Sequence, residues 1–429
     1  MNVLIIGAGY VGTTTGLLFA ELGHSVTLID VDGKKINDMQ NGKLFFYEPG
    51  LDTLLTKHLC TGKISFEIDH QRAIKDNHVI FICVGTPQNQ DGSANLNFLR
   101  EASEFIGSNL IEYKIIVIKS TVPAGTSKQV KQWIEKTKKD PVPFDVLSNP
   151  EFLREGSALK DALYPDRIIV GSENEQATST LQELYMGIDS PFIVTTPSAA
   201  ELIKYTANSF LATKISFINE IAKLCDKLDI NVQDVAKGVG LDSRIGPLFL
   251  EAGIGYGGSC FPKDVLALID TAKKNGTDLS ILEKVHDINE NQPDYFIKKV
   301  KKRLNGLSAK KIAVLGLSFK SQTDDIRQSP SLKIILSLIN EGAIIEIHDP
   351  VAKLPYNLAD IVCQQDSVEE TMIQADAVLI CTDWPHYRTI DWAVIKNKMK
   401  SPVIFDGRNM LNAGEMRSIG YIYEGIGYK

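Results

Sequence analysis

The chain has 429 residues, room for two or three domains, and 44% of them are hydrophobic, which argues for a large core and against global disorder. Its 46 basic and 53 acidic residues leave a formal charge of -7, which argues against a nucleic-acid binder relying on overall positive charge. The six cysteines form no CxxC pair and the seven histidines show no HExxH spacing, so no metal site is expected and a reducing, cytoplasmic compartment fits best.

Residues 1–20 are apolar enough to suggest a signal peptide, but they lack a basic start and are broken by Gly7, Gly9 and Gly12, so they read as strand, turn and helix. No apolar run reaches membrane-spanning length. A strand is expected at Asn2–Ile6, a helix at 13–22 and a second strand at Ser25–Ile29. Later strands at 79–84 and 115–119 are each followed by Gly or Pro punctuation. This alternation is the pattern of a doubly wound parallel sheet.

Gly7-Ala8-Gly9-Tyr10-Val11-Gly12 joins the first strand to the first helix as a GxGxxG turn. Gly7 allows the tight turn, Gly9 lets backbone approach a pyrophosphate held at the helix start, and Gly12 lets helix and strand pack closely. Asp30 ends the second strand, where a carboxylate can bind both ribose hydroxyls and repel a 2′-phosphate, so NAD is favoured over NADP; Lys35 lies nearby.

Residues 198–228 keep helical spacing through Leu202, Tyr205, Leu211, Ile215, Ile218 and Leu224, and Ser198 with Glu201 forms a candidate capping box after Pro197. Such a helix can bridge domains, build a dimer interface or serve as a core element. Next comes Gly253-Ile254-Gly255-Tyr256-Gly257-Gly258-Ser259-Cys260-Phe261-Pro262-Lys263-Asp264. Pro262 suits a first helical turn, so Cys260 sits where unpaired N–H groups, the positive helix end and Lys263 all favour thiolate. Asp264 follows Cys260 by four residues and shares its helix face.

The last third repeats the first in outline, with strands expected at Lys311–Leu315, 344–347, 377–381 and 403–405, but without an intact GxGxxG. The fold expected is α/β: two Rossmann-like doubly wound parallel-sheet domains joined by a helical middle with a long central helix. The boundaries expected are 1–196, 197–300 and 301–429.

Further motifs accompany these: Val84-Gly85-Thr86-Pro87, Ser120-Thr121-Val122-Pro123, Asn149-Pro150-Glu151-Phe152-Leu153-Arg154-Glu155-Gly156, Pro165-Asp166-Arg167, and Gly316-Leu317-Ser318-Phe319-Lys320. Together with residues 201–208 and the Cys260 loop, they make the chain resemble the UDP-glucose/GDP-mannose dehydrogenase family over nearly its whole length. Gly240-Leu241-Asp242-Ser243-Arg244-Ile245-Gly246 is similar to the UDP-sugar branch.

The resemblance implies NAD-dependent, four-electron oxidation of UDP-glucose at C6 to the acid, with two NAD consumed per sugar. It implies Cys260 as the nucleophile of a thiohemiacetal and then a thioester. Lys204 and Asn208, one turn apart, become oxyanion donors; composition alone would leave them a surface lysine and a surface asparagine. Asp264 would hold a water or the lysine, Glu151 would be the base for hydrolysis, and Thr121 would position water and touch the cofactor. NAD contacts carried over are Gly7, Gly9, Tyr10, Val11, Gly12, Asp30, Lys35, Thr86, Thr121, Glu155, Lys263 and Arg327. Substrate contacts carried over are Glu151, Phe152, Leu153, Lys204, Asn208, Arg244, Phe249, Gly253, Gly257, Lys320 and Arg408. Arg244 would reach the ligand of a neighbouring subunit, which implies a homodimer; read alone, Arg408 is a surface ion-pair residue. Glu251 is acidic in the nucleotide loop. Three other readings stand beside this one: the same oxidation of GDP-mannose or a UDP-N-acetyl-hexosamine, a non-catalytic NAD-binding redox sensor, and a two-electron alcohol dehydrogenase. The last needs no thiol, and a sensor needs no oxyanion donors.

Overall fold

Short runs of Val, Ile and Leu form strands buried on both faces, because each sheet carries helices on both sides. The computed structural model describes residues 1–428; Lys429 lies outside the described residues. The first sheet contains β1 (Asn2–Ile6), β2 (Ser25–Ile29), β3 (Ile64–Phe66), β4 (Val79–Ile82), β5 (Lys114–Ile118), β6 (Phe144–Ser148), β7 (Ile168–Gly171) and β8 (Phe192–Thr195). Their spatial order is β3-β2-β1-β4-β5-β6-β7-β8. All neighbours run parallel except β6 and β7, which meet antiparallel at Ser148 and Gly171. Alternate residues enter two cores: Val3 and Ile5 pack with Leu17, Leu28 and Phe81, whereas Leu4 and Ile6 pack with Ile80, Ile82 and Ile116.

The second sheet contains β9 (Lys311–Leu315), β10 (Ile344–His348), β11 (Cys363–Gln364), β12 (Ala377–Ile380), β13 (Val403–Asp406) and β14 (Ile422–Gly425), ordered β11-β10-β9-β12-β13-β14 and parallel throughout. The first six strands of each sheet therefore share one order, that of a dinucleotide-binding fold, with its switch point beside the first strand. Ile312 and Val314 again face one core and Ala313 and Leu315 the other.

Six helices matter for function: α1 (Tyr10–Glu21), α2 (Thr126–Thr137), α3 (Ala158–Leu163), α4 (Pro197–Leu228), α5 (Phe261–Lys274) and α6 (Pro330–Asn340). The chain divides into two compact units, Met1–Ala207 with Leu266–Thr277, and Asn208–Val265 with the chain from Asp278 onward. Both α4 and α5 begin in one unit and end in the other.

Two local expectations are corrected. Helix α1 starts at Tyr10 rather than at residue 13, because Gly9 is its N-cap and its carbonyl already accepts from Thr13 N at 2.9 Å. Ser198 and Glu201 form no capping box. The cap of α4 is Thr196, whose Oγ1 accepts from Ala199 N at 3.3 Å, and Pro197 takes the first helical position. Glu201 is buried and accepts instead from Gly125 N (2.6 Å), Ser127 N (2.7 Å) and Ser127 Oγ (2.6 Å) at the start of α2. A carboxylate there satisfies orphan donors at a positive helix end, which is what a capping Glu does, though on another helix.

Candidate active site

In the first unit the glycine turn has the shape a dinucleotide needs. Gly7 has φ +98°, and a Cβ there would meet Cys83 O at 2.8 Å; one on Gly12 would meet Gly7 O at 1.9 Å. Nothing lies within 4 Å of where a Gly9 Cβ would be, and α1 has no side-chain cap. The helix thus starts with bare N–H groups beneath open space, suited to a pyrophosphate. Val11 packs onto the core below. Asp30 follows β2; its Oδ2 accepts from Ala8 N at 2.8 Å and its Oδ1 from Asp32 N at 3.0 Å. Lys35 Nζ lies 3.2 Å from Asp30 Oδ2, so the charge expected near this carboxylate pairs with it directly. Thr86 Oγ1 donates to Thr121 O at 2.8 Å, which ties the ends of β4 and β5 together beside the switch point. These residues fit NAD: a bare helix start for its phosphates and a carboxylate at the second strand's end for its ribose.

The same unit holds a buried ion pair. Lys204 Nζ is 3.1 Å from Glu151 Oε1, with 3% and 6% of the side chains exposed. Glu151 Oε2 accepts from Leu153 N at 2.5 Å, and the Lys204 ammonium lies 5.3 Å from the centre of the Phe152 ring. Arg167, of the Pro-Asp-Arg motif, stacks on the same ring at 4.1 Å. Opposite charges this well buried cost several kcal/mol to desolvate, so removing one partner strands the other. Lys119, which the sequence reading passed over, is buried nearby in sequence and donates to Asn149 Oδ1 and Tyr185 Oη, each at 3.0 Å. It anchors the residue just before Pro150-Glu151.

In the second unit Cys260 immediately precedes α5 and its carbonyl accepts from Asp264 N at 2.9 Å, the first turn of the helix that Pro262 predicts. Ser259 Oγ is 3.7 Å from Cys260 Sγ. Asp264 is 1% exposed; its Oδ2 accepts from Asn208 Nδ2 at 2.7 Å and its Oδ1 from Lys263 Nζ at 2.5 Å. The carboxylate orients both the asparagine amide and the ammonium beside it.

The glycine loop before Cys260 is held at several of its backbone polar atoms. Gly253 N donates to Asn219 Oδ1 (2.8 Å), and Gly253 O accepts from Gln292 Nε2 (2.8 Å). Asn289 accepts from Tyr256 N (2.9 Å) and donates to Tyr256 O (3.0 Å). Gly258 N donates to Arg327 O at 2.9 Å, and a Cβ on Gly258 would meet the Phe319 ring at 2.7 Å. Gly257 packs against Gln328 O, 2.3 Å from where its Cβ would be. Asn219, Asn289 and Gln292 were missed because an amide at helical spacing carries no signal of the loop it holds.

Arg408 is no surface ion-pair residue. Its half-buried guanidinium donates to Cys381 O (2.7 Å), Gly255 O (3.1 Å) and Phe319 O (2.9 Å), so it clamps the glycine loop to the turn after β9. Lys320 Nζ lies 5.7 Å over Phe319, and Phe249 holds φ +65° with its ring 6.2 Å from Phe261. Such a backbone is strained for a bulky residue. Glu251 is exposed. Arg327 and Arg244 pair with Asp325 and Asp242, two residues away, and leave 65% and 87% of their side chains exposed.

A glycine turn, a bare helix start and a strand-end carboxylate on this strand order define an NAD-binding protein of the dehydrogenase kind. Models of the UDP-glucose/GDP-mannose dehydrogenase family match along the chain: the NAD binding domain at 1–189, the central domain at 198–291 and the UDP binding domain at 313–413. The chain belongs to the UDP-glucose/GDP-mannose dehydrogenase family. It is 44% identical to the UDP-glucose 6-dehydrogenase TuaD of Bacillus subtilis, over 99% of this chain and 93% of that one. Among solved structures it is similar to a UDP-glucose dehydrogenase from Pyrobaculum islandicum, with TM-score 0.94 and 38% identity over 100% and 98% of the two chains. It is also similar to a UDP-D-ManNAc dehydrogenase from Pyrococcus horikoshii, with TM-score 0.89 and 29% identity over 100% and 99%.

Proposed function

We infer that this chain oxidises UDP-glucose with NAD as the oxidant, and we propose that it carries the C6 alcohol through to the acid on Cys260. The observation that carries the second step is a cysteine at a helix start, preceded by a hydrogen-bonded glycine loop and followed by the Asn208–Asp264–Lys263 cluster. Bound NAD would supply the hydride acceptor for both oxidations. Gly9 and the start of α1 would hold its phosphates, Asp30 its ribose, and Thr86 and Thr121 would border it.

The chain's own groups supply the rest. Lys204 and Asn208 lie four residues apart on one helix, about 6 Å of rise, and donate to the C6 oxygen as it becomes an alkoxide. Cys260 Sγ adds to the aldehyde carbon, forming a C–S bond and a thiohemiacetal whose oxygen the same donors hold. Loss of the second hydride from that carbon leaves a thioester. Glu151 takes a proton from water, the water oxygen attacks the acyl carbon, and the C–S bond breaks to return the thiol and release the acid. Lys204 holds the Glu151 carboxylate in place for this, and Asp264 fixes the asparagine amide. Arg408, Lys320, Phe249 and the 253–258 loop bind the nucleotide sugar.

In this reading residues 1–196 serve NAD, 197–300 the chemistry and assembly, and 301–429 the UDP-sugar, in the cytoplasm. Phe210, Phe217 and Leu224 are 63%, 50% and 54% exposed at seven-residue intervals on α4, one stripe that fits a second copy of this chain. Arg244 then serves the neighbouring copy. A homodimer in sedimentation supports this, and a fully active monomer overturns it.

The test of the reaction is its electron count. About two NADH should form per UDP-glucose, since alcohol to acid removes four electrons and each carrier takes two. One NADH with free aldehyde refutes the role of Cys260. Faster turnover of GDP-mannose or a UDP-N-acetyl-hexosamine in a substrate panel refutes the choice of sugar.

A further inference from the structure

Glu48 sits in Tyr47-Glu48-Pro49-Gly50, a stretch to which no role above is given. Its side chain is 4% exposed, and its carboxylate meets three donors. Oε2 accepts from the Tyr10 hydroxyl and from Gly156 N at 2.6 Å, and Oε1 accepts from Ala158 N at 2.8 Å. Tyr10 belongs to the glycine turn and opens α1; Gly156 closes the segment 151–156 that carries Glu151 and Glu155; Ala158 begins α3. Tyr10 also packs on Phe46 at 4.9 Å, and its hydroxyl lies 3.5 Å from Arg154 O. Burial first, then the bond to Glu48, pushes the Tyr10 phenol well above its ordinary pKa, so it stays a donor. At the other end of the same segment, Glu151 is fixed by Lys204 and by Leu153 N.

Resting on the functional reading above, we propose that Glu48 is a positioning residue that couples the cofactor turn to the catalytic-base segment, so that NAD seated on the turn orders residues 151–158. The chemistry asks for a carboxylate. Three converging donors need two acceptor oxygens, and a glutamine offers one oxygen and turns an N–H toward another N–H. Glu155, expected to touch NAD, follows Arg154, whose carbonyl lies 3.5 Å from the Tyr10 hydroxyl, and precedes Gly156, whose N–H Glu48 holds. One strut thereby sets the cofactor contact and the base together.

The test uses hydrogen exchange and direct NAD titration of the whole protein without sugar. In the wild-type protein, NAD should slow exchange both at residues 8–14 and at 151–158. Glu48→Gln should bind NAD about ten-fold more weakly, the value of one charge-assisted hydrogen bond. At saturating NAD it should keep protection at 8–14 and lose it at 151–158. Tyr10→Phe, which removes only the bridging hydroxyl, should give the same split; it decides the matter if Glu48→Gln does not fold. Unchanged protection of 151–158 in the folded variant overturns the coupling. Failure of the wild-type protein to bind NAD overturns instead the functional reading on which it rests.

Discussion

The two sheets share the strand order of a dinucleotide-binding fold, yet their first turns lead to different helix starts: the first has no side-chain cap, whereas Ser329 caps the second. Both first turns begin alike. Gly7 N donates to Ile29 O at 2.9 Å with φ +98°, and Gly316 N donates to His348 O at 2.8 Å with φ +103°. A carboxylate follows the second strand in each, accepting from Ala8 N at 2.8 Å in one and Leu317 N at 2.7 Å in the other. There they part. Asp349 accepts from six donors: Leu317 N, Ser318 N, Ser318 Oγ, Trp384 Nε1, Val351 N and Ala352 N. Asp30 accepts from two backbone amides and Lys35. The first unit enters α1 straight after Gly9, whereas the second runs on from Gly316 to Ser329 before α6 starts. Strand order alone therefore does not make a dinucleotide site. It takes a bare helix start and a carboxylate with acceptor capacity to spare; in the second unit Ser329 caps the helix and six donors engage the carboxylate.

The comparison is tested hardest at the proposed nucleophile of the second unit, Cys260, and the proposed base of the first, Glu151. Cys260→Ser should lower formation of the acid by on the order of a thousand-fold or more, because serine lacks thiolate character and is a poor leaving group. One round of NADH should survive, since the first oxidation does not need the thiol. Glu151→Gln should complete both oxidations and accumulate the Cys260 thioester for want of a base. Intact-mass measurement after rapid quench should find an adduct on Glu151→Gln and none on Cys260→Ser. Acid formation at the wild-type rate by Cys260→Ser would make Cys260 structural.

The strand-end carboxylates sharpen the comparison next. Asp349→Ala leaves six donors without an acceptor, and should destabilise the protein by about 3 kcal/mol or more. Asp30→Ala should move the melting temperature little but weaken NAD about ten- to a hundred-fold and erase the preference over NADP. Melting curves and NAD titrations of both variants check the pair; a large loss of NAD affinity with Asp349→Ala at unchanged stability would contradict the division of roles.

The elements that sequence made legible are those whose signal is local. Asn2–Ile6, Ser25–Ile29 and Lys311–Leu315 occur as read, because an apolar run bounded by Gly or polar residues has one way to be buried. The helix start at Cys260 was legible from Pro262 for the same reason. Glu201 was misassigned because the same spacing can cap its own helix or another, and only the fold brings Ser127 to it. Lys204 and Glu151 are separated by fifty-three residues, and Glu48 and Gly156 by 108, so no local pattern predicts either pair. Arg408 reads as a surface charge by composition; the carbonyls it donates to come from three separate loops.

The smallest effect expected is the second unit's share of a pH dependence, where the buried carboxylate has two histidines for neighbours. His348 is 6% exposed, and its ring lies 5.6 Å from that of His386. The Tyr387 hydroxyl lies 3.0 Å from both His348 O and His348 Nδ1. Burial lowers the pKa of both imidazoles, and for His348 the neighbouring His386 lowers it further, while Asp349 and Glu369 pull both the other way. Unfolded, both titrate near about 6.5. Folded, they stay neutral to lower pH, so below about pH 6.5 the unfolded chain binds more protons and stability falls as pH drops through that window. The melting temperature should decline by a few degrees, ~2–4 °C per kcal/mol lost, between pH 7.5 and 5.5, and the decline should be shallower in a His348→Gln, His386→Gln double variant. An equal slope in the two proteins would move the acid sensitivity away from this pair.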